Sequence, residues 1–136
     1  MSPTHLLDTS VYCQPLRPRP LESTIRRWRE IGDSRLCTSV LCEAEVLQGL
    51  EAKGSPRFWD LYDNSLKGRL PLLALEHDAA VLYGRLSGRL MKLGKRKPVM
   101  DLLIAVSALS HGMILATCNV ADFMGIEGLA VEDWST

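Results

Sequence analysis

Short unbroken apolar runs alternate along this chain with longer stretches in which apolar residues recur every third or fourth position. The first pattern suits buried strands and the second amphipathic helices. His5-Leu6-Leu7 runs straight into Asp8-Thr9-Ser10, which predicts a buried strand ending at Asp8. The prolines at 15, 18 and 20 forbid regular helix or central strand, so residues 14–20 are expected to form an extended loop. Helices are predicted over 21–31, closed by Gly32; over 40–53, between the cap Ser39 and Gly54; and over 56–67, after Ser55-Pro56. Ala79, Leu82, Tyr83, Leu86, Leu90 and Leu93 form one apolar stripe, which predicts a helix over 77–93. Residues 99–110 are nearly all apolar and predict a buried helix closed by His111-Gly112. Further strands are expected at 35–38, 70–75, 113–117 and 129–131, with a polar turn and a short helical piece over 118–125.

Strands therefore alternate with helices in the order β-α-β-α-α-β-α-α-β-β. That order predicts an α/β fold: a three-layer α/β/α sandwich with a mainly parallel sheet of four to five strands. The 136 residues suit one domain, and neither repeats nor a linker divide residues 1–136.

Charge narrows the partners. Sixteen basic and sixteen acidic residues leave a formal net charge of zero, so any hold on a nucleic acid must come from local patches. One such patch is visible: between residues 79 and 100 there are six basic residues and no acidic one, Arg85, Arg89, Lys92, Lys95, Arg96 and Lys97. Cys13, Cys37, Cys42 and Cys118 are scattered without a C-x-x-C pair, which argues for a reducing cytoplasm and against a zinc site or disulfides. No apolar run approaches membrane-spanning length, and residues 5–7 are too few for a signal peptide, so no membrane association is expected.

Carboxylates are where the chemistry is expected. Asp8 follows a strand; Asp101 is the only charge in residues 98–110; Glu45 interrupts the apolar helix over 40–50. Glu43 lies about 200° around that helix from Glu45, so only one of the two can face a given site. Past the penultimate strand, Thr117, Asn119 and Asp122 add a hydroxyl, an amide and a carboxylate, as Thr9 and Ser10 do beside Asp8. Taken singly each acid has a dull explanation, since Asp caps turns and favours helix N-termini. Together they are expected to converge at one sheet edge, with the carboxylates of Asp8, Glu45 and Asp101 within a few ångströms of one metal or of one another. Clustered carboxylates repel and need a counter-charge, and an all-oxygen donor set suits a hard cation, Mg²⁺ or Mn²⁺.

The whole chain resembles the PIN-domain ribonucleases, and among them the VapC-type toxins of bacterial toxin–antitoxin pairs. Leu6-Leu7-Asp8-Thr9-Ser10 is similar to the family's opening strand and first acid. Thr38-Ser39 through Glu45-Val46-Leu47-Gln48-Gly49 is similar to its second strand and E-L-x-x-G helix. Residues 98–105 resemble its P-x-x-D-x-x-I-A segment, and residues 115–123 with Gly128-Leu129 and Glu132-Asp133-Trp134 its closing T-x-N-x-x-D-F and G-L-x-x-E-D-W. The resemblance implies an acidic site of Asp8, Glu45 and Asp101 with Asp122 or Asn119 as fourth member, Asn119 standing where many members have Asp. It also implies Mg²⁺-dependent endonucleolytic cleavage of RNA, structured targets, a homodimer, and a small antitoxin as inhibitor.

Other readings fit less well. A haloacid-dehalogenase-type phosphatase needs a second Asp two residues after the first, where Ser10 stands, and no G-x-S-x-G marks a serine hydrolase. An RNA-processing nuclease that is not a toxin, and a catalytically silent scaffold that binds RNA or protein, share the same motifs. The basic stretch is expected to touch RNA phosphates, which bind without reading sequence. The arginine-bearing helix (Arg26, Arg27, Arg29) and the aromatic helix (Phe58, Trp59, Tyr62) flank the Glu45 helix in sequence; the second is the expected seat of an antitoxin segment, with plain core the equal alternative for Trp59 and Tyr62.

Overall fold

In the computed structural model, which describes residues 2–136, five strands form one all-parallel sheet in the order β3-β2-β1-β4-β5. The elements are β1 (His5–Leu7), α1 (Thr9–Tyr12), α2 (Glu22–Ile31), β2 (Leu36–Ser39), α3 (Val40–Lys53), α4 (Pro56–Ser65), β3 (Leu72–Leu73), α5 (His77–Lys92), α6 (Val99–Ser110), β4 (Ile114–Thr117) and β5 (Val131–Asp133). From β1 the chain lays β2 and β3 to one side, then crosses back to place β4 and β5 on the other. The reversal falls between β1 and β4, and it opens a crevice at the carboxyl ends of those two strands.

Successive strand residues point to opposite faces, yet all of β1 and β2 is buried, so helices cover both faces and the architecture is the three-layer sandwich expected. Leu6, Leu7, Leu36, Leu102, Ile104, Leu115 and Trp134 fill the core. Local chemistry fixes the helix ends. The Ser39 hydroxyl accepts the Leu41 N–H, and Gly54 leaves α3 in the left-handed conformation (φ +70°) that glycine adopts without strain. Among the described residues no helix is long and apolar enough to cross a membrane, and the four cysteines are free.

The structure departs from the pattern-based expectations in five places. A helical turn, α1, follows Asp8, because the Asp8 side chain caps it. Gln14–Leu16 is a 3-10 turn instead of extended loop; Pro15 sits in its first turn, where no N–H is needed. In the stripe on α5, Leu93 is 68% exposed, because the helix stops at Lys92, and Leu82 lies on the flank of the buried line through Ala79 and Leu90. Of the run 70–75 only Leu72–Leu73 pairs, at the sheet edge. The last strand lies two residues later than expected, pairing Glu132 with Ala116 and Asp133 with Thr117. On the aromatic helix α4, Tyr62 is buried and Phe58 and Trp59 are half-buried against the core.

Candidate functional site

The crevice between β1 and β4 begins at Asp8. Its backbone N–H donates to the Ala116 carbonyl of β4 at 3.0 Å, which ties the ends of the two strands together. Its side chain is 5% exposed, and both oxygens are held. Oδ1 accepts the Ser10 hydroxyl at 2.6 Å and the Val11 N–H at 3.3 Å; Oδ2 accepts the Thr117 hydroxyl at 2.7 Å. Burial pushes this carboxyl above the ordinary aspartate value, against the pull of the hydrogen bonds from Ser10, Thr117 and Val11. The same hydroxyls organise the β4 side: Thr117 Oγ1 accepts the Asn119 N–H and Ser10 Oγ the Cys118 N–H, each at 2.9 Å. Asp8 is thus a buried anion built into the end of the sheet.

Three further acids approach from other elements. Glu45 is half-buried on α3, and its Oε1 accepts the hydroxyl of Thr9, the residue beside Asp8. Glu43 points away and accepts the Tyr62 hydroxyl at 2.7 Å, so the helical geometry does divide the two glutamates. Asp101 lies in the first turn of α6. Burial raises its carboxyl above the usual range, the negative charges of Asp122 and Glu45 raise it further, and Lys97 opposes them. Asp122 is exposed on the 3-10 turn Val120–Phe123, which the buried ring of Phe123 anchors. Lys97 Nζ donates to the Asp122 backbone carbonyl at 3.2 Å, so the basic loop, the α6 N-terminus and this turn meet at one place.

The four carboxylates come from the end of β1, from α3, from α6 and from the turn Val120–Phe123. Among the described residues no three acidic, imidazole or thiol side chains stand together as a ready metal cage. Asn119 reaches the cluster through its backbone N–H to Thr117. Of the six basic residues, Lys97 alone borders the acids; Arg85, Arg89, Lys92, Lys95 and Arg96 are exposed. Sequence reasoning passed over Arg17, Arg19 and Lys53, which line a cleft of about 620 Å³ beside Glu45 and Thr9. The signal was present as Arg17-Pro18-Arg19-Pro20, cations in a segment too stiff to be helix.

A family profile described as PIN domain matches residues 5–123. Over 130 residues the chain is 29% identical to a protein of Haemophilus influenzae named ribonuclease VapC2, covering 96% of this chain and 97% of that one. Over 129 residues it is 28% identical to the tRNA(fMet)-specific endonuclease VapC of Salmonella typhimurium, covering 95% and 96%. The crystal structure of DNA-bound VapBC from Salmonella typhimurium superposes on it with a TM-score of 0.83 at 27% identity, over 97% of this chain and 98% of that one.

Proposed function

The chain belongs to the PIN-domain family, and on that premise we propose that it is a metal-dependent endoribonuclease whose working acids are Asp8, Glu45, Asp101 and Asp122. The observation that carries this reading is the meeting of acids from separate elements at the β1/β4 switch point, where Asp101 feels the charges of both Glu45 and Asp122. A surplus of negative charge with oxygen donors alone fits a hard cation. Mg²⁺ binds through one or two carboxylates and keeps several waters, so it requires no preformed protein cage, and Mn²⁺ accepts the same donors. Asp101, Glu45 and Asp122 would hold the ion, with Asp8 behind them. When bound, such an ion supplies a nucleophilic water and offsets the charge of a phosphodiester under attack.

The chain's own residues do the positioning. Ser10 and Thr117 fix the Asp8 carboxylate from both sides, and Thr9 orients Glu45. Lys97 joins the Asp122 turn to the start of α6 and offers a cation where an RNA phosphate would lie. Arg85, Arg89 and Lys92 on α5, with Lys95 and Arg96 in the loop that follows it, extend that contact. The relatives' names, a ribonuclease and a tRNA(fMet)-specific endonuclease, support structured RNA as the substrate, and a solved VapBC toxin–antitoxin structure of Mycobacterium tuberculosis, similar to this chain, supports a cognate antitoxin as partner; a homodimer acting in the cytoplasm completes the proposal. Incubation of bulk tRNA with the protein in Mg²⁺ is expected to give discrete fragments, and chelation with EDTA to abolish them. Intact tRNA in both conditions would contradict the reading.

A further inference from the structure

The cleft beside Glu45 has a composition that the acids do not explain. Its floor is apolar, formed by Leu16, Val46, Leu50 and Phe58, and its rim carries Arg17, Arg19 and Lys53. Glu45 is the only acidic residue that lines it. All three cations are exposed, and among the described residues none is in an ion pair. Lys53 rests its Nζ 4.5 Å over the Phe58 ring. Arg17 has extended backbone (φ −79°, ψ 142°) between Pro15 and Pro18, so the loop presents its arginines with little freedom left to lose. Gly49 forms part of the wall, and a side chain there would point into open space.

Resting on the nuclease reading above, we infer that this cleft binds the single-stranded RNA that flanks the scissile bond on the Glu45 side. Its phosphates lie on Arg17, Arg19 and Lys53, and a base lies on the apolar floor. Contiguity decides in favour of RNA. A strand cut at Glu45 and Asp101 must leave the site in both directions. Lys97 stands on the Asp101 side, and on the Glu45 side the strand passes directly over this cleft. Cationic grooves with apolar or aromatic floors are how single strands are held without sequence readout. A volume near 620 Å³ also falls in the range of sites for one small-molecule-sized group.

The test compares wild type with the Arg17→Ala/Arg19→Ala double variant, Lys53→Ala and Gly49→Leu. Cleavage of bulk tRNA in Mg²⁺ gives KM and kcat. Binding of a fluorescein-labelled RNA stem-loop with a single-stranded tail, across a salt series, gives the electrostatic contribution. Each phosphate contact on a single strand contributes a slope of about 0.7 in log K against log salt, so at 0.1 M salt the double variant should bind roughly twenty-fold more weakly. Its slope should fall by about 1.4. KM should rise in parallel while kcat stays within about twofold, since none of these residues touches the reacting phosphate. Gly49→Leu should raise KM with an unchanged salt slope, because its side chain narrows the cleft from the wall and removes no charge. Thermal melts confirm that each variant is folded. If wild type cuts tRNA and the variants keep its KM and salt slope, the cleft inference is overturned and the nuclease reading stands. If wild type neither binds nor cuts, the nuclease reading itself fails. If the variants lose hold of a co-expressed partner protein while their RNA constants are unchanged, the cleft is a protein-docking groove and the inference is wrong.

Discussion

Thr117→Val removes one hydroxyl from the best-organised part of the site while keeping its shape. Thr117 is fully buried, donates to Asp8 Oδ2 at 2.7 Å and accepts the Asn119 N–H at 2.9 Å. A hydrogen bond to a buried charged group contributes about 1.5–3 kcal/mol, and the stranded Asn119 N–H adds about 1 kcal/mol. The loss at neutral pH is therefore about 2.5–4 kcal/mol, a fall in Tm of roughly 10 °C or more for a domain of this size. The pH dependence has a defined sign. Burial holds Asp8 above the ordinary aspartate value of 3.8, so its ionisation costs stability as pH rises through its folded pKa. Thr117 favours the ionised form, and without it the folded pKa rises further. The extra loss is absent well below 3.8 and complete above the variant's folded pKa, so the gap between the proteins widens as pH rises. Urea denaturation at pH 4 and pH 7.5 measures it. Thr117→Ser keeps the hydroxyl and should lose only about 1 kcal/mol for the missing methyl. A Thr117→Val gap that is equal at the two pH values would refute the assigned role of the Asp8 bond.

Asp101→Asn should leave the metal-free protein as stable as wild type or stabler near neutral pH, because it removes a charge that burial and the Asp122 and Glu45 carboxylates disfavour; a residue that serves only the helix dipole would instead lose about 0.3–1 kcal/mol. Mn²⁺ should raise the Tm of wild type and leave that of Asp101→Asn nearly unchanged, and equal shifts in both would remove Asp101 from the metal site. Glu45→Gln should lose RNA cleavage and Glu43→Gln retain it, since Glu43 bonds Tyr62 on the other side of α3; equal activity in the two variants would contradict the register. Leu6→Ala, in the middle of the central strand, should cost about 2–5 kcal/mol by chemical denaturation, and a loss under 1 kcal/mol would contradict its place in the core.

Much of the fold was legible because its elements bury one recognisable face or end at a recognisable cap. Val40–Lys53 was readable to the residue from Ser39 and Gly54, and Val99–Ser110 from its apolar run and Gly112. Elements held by tertiary contacts were not readable. The turn α1 had a local signal in its cap, Asp8, but is too short to show an apolar stripe, and Leu72–Leu73 is a strand only through its pairing with β2. Leu93 fitted the stripe by spacing and is solvent-exposed because the helix has already ended. The acids were found as interruptions of apolar runs, a signal that burial makes costly and therefore informative. That Thr117 donates to Asp8 was not legible either, since only the pairing of β1 with β4 brings the two together. The arginines at 17 and 19 were hidden for a related reason: a proline-spaced loop gives no face, and only the fold brings it alongside Glu45.

The central claim is that the acids at the β1/β4 crevice cleave RNA with the help of a divalent ion. Single-turnover cleavage of bulk tRNA by wild type and by Asp101→Asn, each shown to be folded by thermal melting and assayed with Mg²⁺, with Mn²⁺ and with EDTA, tests it most directly. Wild type is expected to cut with either metal and to stop with EDTA, and Asp101→Asn to leave the RNA intact in all three. Cleavage by Asp101→Asn at the wild-type rate, or cleavage by wild type that persists in EDTA, would contradict it.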